Sequence, residues 1–86
     1  MKMESFSNRL QSGKVNNYTY THEGRTRLIS TWNHESAFVL TWEECEPGRE
    51  HDEHLYTKDE KRTFVSVDEL VGFLRMQGID VEKFTP

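Results

Sequence analysis

A single cysteine, Cys45, in 86 residues excludes an intrachain disulfide and an all-cysteine zinc site, and it makes a reducing compartment the simplest context. No apolar run approaches the ~20 residues of a membrane span. The opening Met1-Lys2-Met3-Glu4-Ser5-Phe6 lacks the roughly 7–15-residue apolar stretch of a secretory signal. The expectation is a cytoplasmic chain without membrane contact. Apolar residues are scarce, at 34% with a mean hydropathy of −0.85, so the core must be thin. Also missing are the G-x-S-x-G, Walker A and G-x-G-x-x-G signatures, and so short a chain has little room for a deep reactive pocket. A non-enzymatic protein without a cofactor is expected.

What is present is aromatic: five Phe, three Tyr and two Trp. A disordered chain of this polarity would be aromatic-poor, so the sequence folds around a few large side chains into one small domain. Charge is unevenly spread. Residues 1–42 hold Lys2, Arg9, Lys14, Arg25 and Arg27 against Glu4, Glu23 and Glu35, whereas between residues 43 and 60 eight carboxylates face only Arg49 and Lys58. Residues 61–86 are balanced. The chain reads as a neutral-to-basic body carrying one acidic segment.

From Asn17 to Glu43 the pattern is of strands, with β-branched and aromatic alternation at Tyr18–Thr21, Arg27–Trp32 and Ala37–Trp42. For the first hairpin, a two-residue turn at Glu23-Gly24 requires φ > 0 at Glu23 and mixes the tyrosines with Arg25, Arg27 and Ile29. A three-residue loop with a bulge at Gly24 pairs Tyr18 with Leu28 and Tyr20 with Thr26, collecting Tyr18, Tyr20, Leu28 and Trp32 on one side. The second register is the expectation. A three-residue loop at Asn33-His34-Glu35 then pairs Leu28 with Leu40 and Ser30 with Phe38, leaving Arg25, Arg27, Ile29 and Val39 on the solvated face.

Residues 44–53 read as loop, with a type II turn at Pro47-Gly48. His54–Thr57 and Thr63–Val65 read as short strands joined across Lys58-Asp59-Glu60-Lys61. Ser66-Val67-Asp68-Glu69 matches a capping box, and Val67, Leu70, Val71, Phe73 and Leu74 form an apolar stripe closed by Gly78, with Ile79 packing back. The expected fold is α+β: an antiparallel sheet of four to five strands with one C-terminal helix packed on one face. Residues 14–86 form the domain, and residues 1–13, anchored by Phe6 and Leu10, are a frayed arm, an edge strand or a short helix. Val81 and Phe84 add a last strand or tack the tail down.

Three chemistries compete. Cys45, His51 and His54 with interleaved carboxylates are all residue types that bind transition metals, although C-x5-H-x2-H is not an established zinc spacing. Arg25 and Arg27 with nearby aromatics sketch a single-strand nucleic-acid platform, against which stands the acidic balance, since two arginines neutralise few phosphates. The third reading is a docking surface of Glu43, Glu44, Glu46, Glu50, Asp52 and Glu53, with Trp42 and Tyr56 as apolar anchors, for a protein with a basic surface. By exclusion and charge the expected function is a small regulator or inhibitor covering a nucleic-acid-handling partner. Phage-encoded antagonists of host defence are one class of this size and charge. A homodimer through Ile29 and Val39 is the other pairing the solvated face allows.

Overall fold

The computed structural model describes residues 1–52 and 55–86. Along the chain lie α1 (Met3–Gln11), β1 (Asn16–His22), β2 (Arg25–His34), β3 (Ala37–Cys45), β4 (Lys58–Phe64) and α2 (Val67–Met76), followed by a 3-10 turn at Val81–Lys83. The strands form one antiparallel sheet in the order β1-β2-β3-β4. Phe6 and Leu10 of α1 and Leu70, Val71 and Leu74 of α2 share one core with Ile29, Leu40 and Trp42, so both helices cover the same face. The fold is α+β as expected, with four strands among the described residues, and the expectation of a single C-terminal helix is corrected by helices at both ends of the chain. None of these helices is long and apolar enough to cross a membrane.

Both hairpins turn on two residues rather than three. Glu23 (φ 51°) and Gly24 (φ 75°) form one turn, Glu35 (φ 50°) and Ser36 (φ 68°) the other, each with positive φ at both central positions. That geometry matches the right-handed twist of the flanking strands. The resulting pairs are Tyr18 with Ile29, Ile29 with Trp42 and Thr31 with Leu40. Three expectations are corrected together, because a one-residue slip moves a strand's whole side-chain set to the other face. Ile29 enters the core at 1% exposure, Leu28 and Trp32 leave it, and Arg25 and Arg27 join the helix side. The left-handed strain at Glu23, Glu35 and Ser36, about 1–2 kcal/mol each, accompanies turns that match the strand twist and a register that buries Ile29. Tyr18 and Tyr20 pack against the core as expected, stacked at 4.4 Å.

The expected strand at 54–57 is not formed by Leu55–Thr57, and His54 lies outside the described residues. The expected hairpin tip at 58–61 is instead part of β4, and Glu44 and Cys45, expected in a loop, finish β3. Charge does not prevent strand formation here because β4 is an edge, where charged residues also discourage pairing with other chains. Its helix-side residues place their charged groups over aromatic rings, Lys58 Nζ 4.3 Å from the Trp42 ring centre and the Arg62 guanidinium 4.7 Å from that of Phe73. The Pro47-Gly48 turn is present, closed by Arg49 N–H donating to Glu46 O at 3.0 Å.

α2 has its anticipated ends. Ser66 Oγ accepts from Glu69 N–H at 3.2 Å, and Val65 N–H donates to the Glu69 carboxylate. At the other end Gly78 N–H donates to Arg75 O and Ile79 N–H to Leu74 O, the two bonds that finish a helix through a left-handed glycine. α1 ends on the equivalent pair, Gly13 to Leu10 and Lys14 to Arg9. Buried Asn16 ties α1 to the sheet by donating to Phe6 O and accepting from Arg9 Nε. Phe6 meets Phe84 edge-on at 5.2 Å, and Thr85 exchanges two backbone hydrogen bonds with Asn17.

Candidate functional site

The register divides the acidic segment between two faces. Alternation places Glu44, Lys58, Glu60 and Arg62 on the helix side, and Glu43, Cys45, Asp59 and Lys61 on the outer side. Glu44 is 9% exposed and neutralised where it sits. Trp42 Nε1–H donates to it at 2.8 Å, with Arg27 Nε 3.5 Å and Lys58 Nζ 3.8 Å away. The Arg27 guanidinium lies against the Tyr20 and Trp42 rings at 5.8 and 5.7 Å and donates to Tyr20 Oη. The Tyr20 hydroxyl, with Glu44 adding, raises the Arg27 pKa above its ordinary value against the cost of burial. The cluster covers Trp42, which is 4% exposed, so Trp42 and Glu44 stabilise the end of the core rather than facing outward.

Among the described residues, α1 and α2 both leave the outer face uncovered. Across it lie Thr19, Leu28, Glu43 and Asp59 in one row, and Trp32, Val39 and Thr63 in another. Leu28 and Trp32 are half-buried, while Val39, between Trp32 and Thr63, is 3% exposed. Sequence reasoning missed Trp32 and Leu28 because the favoured register put them under the helix. Asp59 joins Glu43 through strand pairing alone.

Segment 46–52 continues this acidic end. Glu46 and Asp52 are exposed and Glu50 is half-buried; Glu53 lies outside the described residues. The Glu50 carboxylate is held below its ordinary pKa first by its own amide and then by that of Gly48, which donates at 3.4 Å. Tyr56 Oη donates to Glu50 O at 2.6 Å, fastening the segment.

Cys45 is fully buried at the loop end of this face. Burial, with Glu50 and Glu43 adding, pushes its thiol above the ordinary value. A thiol held in this form is a poor nucleophile and a poor metal ligand. His51 is exposed and His54 lies outside the described residues, among which no three His, Cys, Asp or Glu side chains gather as a metal site. Arg25 and Arg27, expected on the outer face, both lie on the helix side of the sheet, where Arg25 is exposed and donates to Thr57 Oγ1 at 2.6 Å.

Compared with protein-family models, curated proteins and solved structures, the chain matches none.

Proposed function

We propose that the protein is a non-enzymatic interaction module, a small regulator or inhibitor that docks its acidic outer face on a basic surface of a nucleic-acid-handling protein. The observation that carries this reading is one juxtaposition. The sheet face that α1 and α2 leave uncovered sets Leu28 and Trp32 beside the cross-strand carboxylates Glu43 and Asp59, with Glu46, Glu50 and Asp52 following in the chain. An aromatic side chain on a rigid strand supplies anchor area at low entropic cost, and a cluster of carboxylates steers a basic partner and speeds encounter. Glu50, its pKa lowered first by its own backbone amide and then by that of Gly48, adds to that field.

The test compares the tagged native chain with Glu43→Lys/Asp59→Lys in capturing proteins from the source cell's lysate at low and moderate salt. A basic nucleic-acid-handling protein retained by the native chain and lost by the equally folded variant is the expected result. Equal retention by both, or retention by neither, overturns the reading. With that partner purified, Trp32→Ala weakens binding by about 2 kcal/mol, roughly 30-fold in Kd.

A further inference from the structure

On the opposite side of the sheet, the helical layer contains a groove of its own. α1 lies over β1 and β2, and α2 over β3 and β4. Two stripes line the gap, Met3, Ser7 and Gln11 on α1 and Val67, Val71 and Arg75 on α2. Residues four apart lie on one side of a helix, so each helix presents a single ridge to the groove. Three cavities of about 290, 270 and 410 Å³ follow one another along it, neighbours sharing Ser7 and Val67 at one junction and Met3 and Arg75 at the other. The short side chain of Ser7 leaves the middle unfilled; Met3 is exposed and Val67 and Phe38 are half-buried along the groove, whereas Val71, Ile79 and Val81 beneath it are buried in the core, so the lining is a mixture of apolar and polar groups.

Charge along the groove alternates. Asp68 lines one end, Arg75 stands between, and Asp80 and Glu82 line the far end. Arg75 is exposed and makes no hydrogen bond or ion pair with another described side chain. Asp68 and Arg75 are seven residues apart on α2, about 10 Å or two turns at 1.5 Å per residue. A second helix laid alongside repeats that spacing on one of its own faces.

We propose that the groove seats an amphipathic helix of a partner protein. Its apolar residues fill the space over Ser7 and Val71, an acidic residue meets Arg75, a lysine or arginine about two turns away in one direction meets Asp68, and a second in the other direction meets the Asp80–Glu82 end. The surface is independent of the Leu28–Trp32 face, and the two together make the chain an adaptor between a basic surface and a helix.

Two synthetic helical peptides of about 16 residues test this, long enough to hold some helix alone. Both carry the same leucine stripe and are brought to equal net charge by residues on the far face. One has glutamate flanked by lysines at two-turn spacing, and the other has lysine flanked by glutamates. Titrated into the isotopically labelled full chain, the first shifts the amide resonances of Ser7, Val67, Val71 and Arg75 and binds at least about tenfold tighter. Arg75→Glu inverts the preference, and Ser7→Phe, which fills the groove, abolishes binding at an unchanged melting temperature. Equal binding of the two peptides, or shifts confined to Glu43 and Asp59, overturns the proposal. So does concentration-dependent self-association of the chain alone with shifts at Ser7 and Val71, which assigns the groove to a second copy.

Discussion

Glu43 and Glu44 are adjacent and chemically identical, yet one faces outward and the other holds a cationic cluster together. Removing the Glu44 charge leaves the Arg27 guanidinium, 24% exposed, without the counter-charge 3.5 Å away, while a glutamine amide oxygen still accepts from the Trp42 indole N–H. Glu44→Gln is expected to cost about 1–3 kcal/mol in urea unfolding, whereas Glu46→Gln on the exposed segment stays within about 0.5 kcal/mol. Equal midpoints for the two variants contradict the assignment of Glu44 as the centre of the cluster. Cys45 carries a second residue-level expectation. Its thiol pKa is raised in the folded protein, so the unfolded thiol ionises first as pH rises. Stability from this group is present below its ordinary value of 9.0 and is lost as pH climbs through the folded value. Unfolding midpoints measured from pH 8 upward therefore fall less steeply in Cys45→Ala than in the native chain. A charge count along the sequence found the acidic segment but not its division between faces, because only strand register distinguishes neighbouring glutamates.

The two helices show why some elements were legible and others not. α2 announces itself at both ends, with Ser66 capping through Glu69 and Gly78 closing the last turn. α1 has the same closing bonds at Gly13, and Phe6 and Leu10 on one buried side, but Lys2 at its start provides no side-chain cap. With one boundary unmarked and only Phe6 and Leu10 as buried anchors, residues 1–13 of the chain fit several structures equally well. The hairpins failed for a different reason. Glutamate at a positive-φ position argued against the two-residue turn, and the local penalty was weighed without the gain from burying Ile29. Glu23→Asn, which tolerates that conformation better and keeps the turn, is expected to stabilise the protein by about 0.5–1 kcal/mol, raising the melting temperature by several degrees. A lower melting temperature refutes the two-residue turn.

For the whole molecule, every ladder joins strands adjacent in sequence, whereas the core is sealed by residues from the two ends of the chain, Phe6 against Phe84. This arrangement separates the order of assembly from the distribution of stability. The short β1–β2 and β2–β3 hairpins close at little entropic cost, so these three strands are expected to gather early, before β4 joins across residues 46–57. Joining Phe6 to Phe84 requires closing nearly the entire chain and belongs after the rate-limiting step. Phe84→Leu then accelerates unfolding while leaving the refolding rate nearly unchanged, and a stopped-flow chevron in which the refolding limb moves instead places that contact in the transition state. The Thr85–Asn17 bridge gives this sequence of events a biological edge. It is the last piece to arrive and the first to leave, so the rate at which β1 is laid open to proteases or to stray strands is set by the hold of a few terminal residues, not by the durability of the sheet they fasten.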